Sequence, residues 1–314
     1  MSRPFTKPVD ICATLTRKPP KLDHVLPGLL LGTVGMVAGP GGIGKTTLEL
    51  QIAVALATGT PLPWGLTQSS DALDAHPPAK VVLVTPEESE AVLAHKLHAL
   101  AKSLLRPVCE GGTGLPPSVF LERLAKNLTL FGEHDAGSAL LLDARGRVSP
   151  SARGLLRAAR GARLVILDPL RQFHAGEEND SGAMNRAVVL LRALAKRSGA
   201  AVVVAHHTSR AAAHMGFGDT AGASRGSTAL PDGIRWQLNL SQPTREWAKA
   251  HGLDASQRHE HLLLDISKAN YSSRPATLVL RRASGGLLEW APNLGGSMTG
   301  AAPHTRRTPE RRAA

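Results

Sequence analysis

The sequence predicts an α/β fold: a mostly parallel central sheet with helices on both faces and an antiparallel C-terminal extension. Three observations predict it. Between residues 34 and 205 short apolar runs alternate with helically spaced segments, as in a sheet covered on both sides. The first apolar run leads into G-P-G-G-I-G-K-T, Gly39 to Thr46, a glycine-rich loop joining strand to helix. After residue 228 the alternation gives way to successive strand-like runs that suit antiparallel pairing.

Taken in order, residues 1–27 are Pro-rich and read as an arm, 28–292 as a single core, and 293–314, with the arginines of HTRRTPERRAA, as a basic tail. The core starts with a strand at 34–38 and a helix at 46–58. A strand at 80–85, a helix at 87–103, a strand at 163–168, a helix at 181–198 and a strand at 200–205 follow. Pro, Gly and Ser clusters mark 59–79 and 104–127 as surface insertions. Two short strands are expected in 128–150, the second bent at Ala144-Arg145-Gly146. The last strands fall near 233–240, 261–267, 275–282 and 286–290, with a helical insert at 243–252.

Composition narrows the function. At 314 residues and 42% hydrophobic the chain can bury a large core, and a formal charge of +12 favours a polyanionic partner. Cys12 and Cys109 are far apart and lack CxxC spacing, so neither a disulfide framework nor a thiolate metal site is indicated. No apolar run approaches the roughly 18 residues of a membrane span, so a cytoplasmic protein without membrane contact is expected.

The loop carries the chemistry. Glycines turn consecutive backbone N–H groups toward a phosphate, and the positive end of the following helix faces the same anion. Gly39, Gly41, Gly42, Gly44, Lys45, Thr46 and Thr47 form the ATP-contacting set, with Lys45 reaching the β and γ phosphates and Thr46 helping to hold Mg²⁺. Asp168 ends the apolar run ARLVILD beside that loop and is placed to orient the water shell of Mg²⁺. In TPEE, the pattern Thr85, Pro86 and Glu88 suggests a capping box, which leaves Glu87 to align the water attacking the γ phosphate.

AAVVVAHHTS ends in His206 and His207, which face opposite sides of a strand and do not suit one metal; one of the two is placed to sense the γ phosphate. The Gly- and Ala-rich stretch 208–227, with Arg210, His214 and Arg225, is placed to touch a phosphate backbone. Aromatic residues make up only 3% of the chain, so the contact would be electrostatic rather than stacked. Arg235 is a candidate for neutralising charge on the transferring phosphoryl group, if necessary from a second subunit, and Lys268 is a weaker candidate cation.

The phosphate loop, TPEE, VILDPLRQFH, VVVAHHTS, ASRGSTALPDGIRW and SKANY, in this order, resemble the RecA-like P-loop NTPases that serve as RepA-type hexameric replicative DNA helicases of broad-host-range mobilisable plasmids. The likeness runs from about Leu22 to Trp290. It implies a ring-shaped homohexamer that uses ATP and Mg²⁺ to move along single-stranded DNA during plasmid replication, with an origin-binding protein and a primase as further partners. It also implies Lys45 as the loop lysine, Glu87 as the catalytic glutamate, Asp168 as the Mg²⁺-linked aspartate, His207 as the sensor and Arg235 as the finger given to the neighbouring subunit. The stretch 208–227 corresponds to channel-lining segments. Lys96 stands where the family has an arginine. The alternative is a RecA-like DNA-dependent ATPase that mediates or regulates recombination without unwinding.

Overall fold

Runs such as VVLV, LVIL and AVVVAHH are buried on both faces, which only a central strand of a covered sheet allows. In the computed structural model, which describes residues 8–61, 76–106, 112–133, 138–207 and 229–294, these runs form one sheet. It comprises β3 (Val34–Gly39), β4 (Val81–Val84), β5 (Leu128–Phe131), β6 (Leu164–Leu167), β7 (Ala201–His207), β8 (Trp236–Ser241), β9 (His261–Ala269), β10 (Leu278–Arg282) and β11 (Leu288–Trp290). Their spatial order is β11-β10-β9-β8-β3-β7-β6-β4-β5. From β8 to β5 every pairing is parallel; from β8 to β11 every pairing is antiparallel. The expected extension is therefore present, and its first strand is itself the parallel neighbour of β3.

Alternate residues of each strand feed opposite cores. Val37, Leu83, Ile166 and Val203 pack beneath α2 (Lys45–Thr58), α3 (Glu90–Leu104) and α4 (Pro117–Asn127), joined by Leu48, Leu100 and Phe120 from those helices. Met36, Val82, Val165 and Val204 face the other side, against α5 (Pro150–Ala158) and α6 (Ser181–Ser198), where Leu155, Met184 and Leu191 close the layer. Helix α2 is buried nearly all round, so its sequence lacks a polar face. Among the described residues no helix is long and apolar enough to cross a membrane.

The arm is tied in at its end. Helix α1 (Ile11–Thr16) buries none of its residues, whereas β1 (His24–Leu26) and β2 (Leu29–Leu30) form a hairpin against the core. The Arg163 guanidinium holds Asp23 and the His24 carbonyl, and the Trp236 indole donates to the Pro27 carbonyl at 2.8 Å.

Several expectations give way. The supposed insertion 104–127 contains α4, whose Pro117 occupies the first turn and whose Phe120 is fully enclosed. The bent strand after residue 139 is replaced by two isolated bridges at Leu142, because the Asp143 carboxylate accepts from the Arg145 and Arg147 N–H groups and closes a turn. The helix expected from residue 87 starts instead at Glu90, capped by Ser89 rather than Thr85. Glu88 has no capping role; it binds the Lys96 ammonium at 2.6 Å.

Candidate nucleotide site

The site is built where β3 hands over to α2. Gly39 lies so close to β8 that a Cβ there would sit 2.6 Å from the Leu240 carbonyl oxygen. Gly42 and Gly44 take left-handed backbone at φ +71° and +113°, which aims the loop over the start of α2. A brace comes from the far side of the sheet: Arg282 of β10 donates to the Ile43 carbonyl at 2.7 Å and covers Gly44. Gln51 exchanges two 3.0 Å hydrogen bonds with the Leu288 backbone, which fixes α2 to β11.

Lys45 is buried under the loop, its ammonium donating to the Gly39 and Pro40 carbonyls at 2.9 and 3.0 Å and lying 3.3 Å from His207 Nδ1. Burial lowers the pKa of Lys45, opposed by the charges of Asp168, Glu49 and Glu87. Thr46 follows it and donates its hydroxyl to Asp168 at 2.5 Å. Thr47 is half-buried in the same turn of α2. Asp168 leaves the end of β6, its N–H held by the Val84 carbonyl, and burial raises its pKa against the pull of Thr46 and Lys45.

Glu87 is reached from the end of β4 and accepts from the Gln172 amide at 2.7 Å. His207 ends β7 over Gly41; burial and then the Lys45 ammonium hold its pKa down, which leaves a neutral ring able to accept from Lys45 and to donate from its other nitrogen. His206 points to the opposite face and lies 3.7 Å from Glu178. The structure thus gathers Gly39, Gly41, Gly42, Gly44, Lys45, Thr46, Asp168, Glu87 and His207 around one loop.

Arg235 lies elsewhere. Its N–H bonds the Val34 carbonyl at the opposite end of β3, about 16 Å along the strand from the loop. Exposed there, it cannot serve the site of its own chain. Lys268, on β9, donates to the Pro231 carbonyl at 2.7 Å. Arg210, His214 and Arg225 lie outside the described residues.

A divalent ion fits as far as the donors go. The Thr46 hydroxyl and the Asp168 carboxylate are hard oxygen donors in contact, which suits Mg²⁺. No group of three or more His, Cys, Asp or Glu able to hold a metal occurs among the described residues, so the ion would depend on phosphate oxygens and water for its remaining ligands.

Sequence reading passed over Glu49, Gln172 and Arg282. Glu49 carried a signal, an acid inside the apolar run LELQIAVAL one turn beyond the loop lysine. It is wholly enclosed beside Asp168, and burial pushes its pKa well above the carboxylate range.

Comparison with known proteins follows this geometry. The family described as AAA domain matches residues 3–213. Among solved structures, the fold is similar to a DnaB-like replicative helicase described with its interactions with primase, at TM-score 0.54 and 14% identity, over 89% of this chain and 66% of that one. It is also similar to the ATPase domain of G40P, at TM-score 0.50 and 15% identity over 82% and 84% of the two chains. The RadB recombinase gives TM-score 0.48 and 18% identity over 84% and 93%. The likenesses to the DnaB-like helicase and to the ATPase domain of G40P show the fold, and the fold alone, as RecA-like.

Proposed function

The chain belongs to the AAA domain family, and from that premise we propose that it is an ATP-hydrolysing DNA motor, a helicase of the RepA plasmid type working as a homohexameric ring on single-stranded DNA. The observation that carries the reading is the contact of Thr46 with Asp168 beside the buried Lys45, with Glu87 held by Gln172 at the neighbouring strand end. A nucleotide site with a positioned carboxylate is equipped to hydrolyse, not only to bind.

Each residue takes one task. Lys45 exchanges the Gly39 and Pro40 carbonyls for phosphate oxygens. Thr46 would hold Mg²⁺ directly and Asp168 through water; the ion, when bound, neutralises charge on the β and γ phosphates. Glu87 accepts the proton of the attacking water, and Gln172 keeps that carboxylate in place. His207, touching Lys45 at the end of β7, passes the presence or loss of the γ phosphate to residues 208–227, where Arg210, His214 and Arg225 hold the DNA backbone. Arg235, too far from its own loop, completes the site of the adjacent subunit. An origin-binding protein and a primase are the further partners of this reading.

Steady-state ATP hydrolysis with and without single-stranded DNA tests it, with Glu87→Gln as control. Strong stimulation that disappears in the variant supports the motor. Hydrolysis indifferent to DNA removes the motor reading while leaving the nucleotide site in place.

A further inference from the structure

The helix layer of α5 and α6 carries charge of one sign. Residues 150–160 contain three arginines, residues 181–198 contain three arginines and a lysine, and neither stretch contains an Asp or a Glu. These two short stretches thus hold seven cations of a chain whose formal charge is +12. Arg153, Arg157 and Arg160 follow one another at helical spacing and form an exposed row along α5. Arg186 and Arg197 are three turns apart on α6, so they too share a side. The Arg186 side chain lies against Gly146, in the turn that leads to α5, which sets this second row beside the first. Arg192 belongs to the other side of α6, where its guanidinium donates to the Gly233 carbonyl.

The fold does not need these charges. Leu155, Met184, Val188 and Leu191 supply the buried sides of the two helices, and every arginine of the two rows is exposed. A helix dipole favours cations in the last turn, which accounts for Arg157 and Arg197; Arg153 stands near the start of α5, where the dipole disfavours it. Among the described residues Arg153, Arg157, Arg160 and Arg197 form no ion pair, and Arg186 forms only a 3.8 Å one with Asp180. Like charges left unanswered at this spacing repel, and a bound polyanion relieves the repulsion. Packed helix axes lie about 8–10 Å apart, so the two rows are separated on the scale of a duplex groove, whose rims are two lines of phosphates. Neither helix has an aromatic residue to stack on bases, and Val189 is the one large apolar side chain exposed on either, too little to enter a lipid bilayer. We propose that the outer face of α5 and α6 binds the phosphate backbone of duplex DNA without regard to sequence. The surface is separate in sequence from the nucleotide loop and from residues 208–227, and it needs no ATP, so it stands even if hydrolysis proves indifferent to DNA.

The test follows binding of a short fluorescent DNA duplex to the full chain, without nucleotide, by anisotropy between about 50 and 200 mM salt. The variant carries Arg153→Gln, Arg157→Gln and Arg160→Gln together. Each phosphate contact contributes about 0.9 to the slope of log affinity against log salt, so the slope should fall by about 2.7. Across that range wild type should then lose about 40-fold more affinity than the variant. Thermal unfolding and the binding of fluorescent ADP with Mg²⁺ should be unchanged, since none of the three arginines is in the nucleotide site. A control that removes the same charge from other exposed positions, Lys18→Gln, Arg245→Gln and Lys249→Gln together, should keep the wild-type slope. An unchanged slope in the arginine variant overturns the inference, as does an equal loss in the control or a wild-type chain that does not bind the duplex at low salt. A loss seen only with a single-stranded probe, or only with phosphatidylserine vesicles, overturns it in favour of that ligand. Altered sedimentation of the variant with duplex binding intact gives the face to a second copy of the chain and overturns it as well.

Discussion

Replacing Arg282 by methionine should weaken nucleotide binding about tenfold although residue 282 is remote from the loop in sequence. Its guanidinium donates to the Ile43 carbonyl at 2.7 Å and lies over Gly44, so it fixes the two residues that precede Lys45. A hydrogen bond from a charged donor contributes about 1.5–3 kcal/mol; the half-buried position of Arg282 argues for the lower end. About 1.4 kcal/mol is a factor of ten in affinity. Methionine preserves much of the aliphatic packing beside Leu288 and removes only the donor. Fluorescent ADP titration at fixed Mg²⁺ should show the loss, with Arg282→Lys intermediate because an ammonium can still reach one carbonyl. A dissociation constant within twofold of wild type, in a variant with unchanged unfolding, would refute the bracing role.

Two further outcomes concern stability. Trp236, fully enclosed and bonded to the Pro27 carbonyl, should on replacement by alanine lower unfolding free energy by about 3–5 kcal/mol in urea titration, and a loss below about 1 kcal/mol would contradict its place in the core. His174 is held below its usual pKa of 6.5, first by burial and then by Arg171 and His206, against the charge of Glu178. A depressed histidine means that the unfolded chain binds the proton more readily, so its share of stability is complete above pH 6.5 and is lost as pH falls below that value. Urea midpoints at pH 7.5 and 5.5 should differ more in wild type than in His174→Phe.

The parallel strands were legible because continuous apolar runs have few other places to go, and the loop because glycine, lysine and hydroxyl must keep a fixed spacing around a phosphate. Helix α4 was not, since Gly114, Pro116 and Pro117 look like loop residues when in fact Pro117 opens the first turn. Thr85 and Glu88 have capping-box spacing, but the Glu88 carboxylate is taken by Lys96 eight residues on, and Ser89 caps instead. Local rules lost to a contact that sequence does not display. The same holds for Arg282 and Gln172, whose partners are chosen by the folded sheet, and for Glu49 of α2, whose neighbour Asp168 arrives from the end of β6. Arg210, His214 and Arg225 remain assignments from sequence.

The position of β3 between β7 and β8 has a consequence for how the protein is made. On its way out of the ribosome the phosphate loop precedes its neighbours: Gly35 must wait for Trp236 before its strand is flanked on both sides, and Ile43 for Arg282. Such distant pairing makes folding slow, because loop closure is spent before contacts reward it. A nascent chain stopped near residue 213, where the family match ends, would display β3 as a bare apolar edge, the kind of surface that pairs with other chains. The nucleotide site is therefore finished only after β8 and β10 have been made, some 200 residues or more beyond the loop itself.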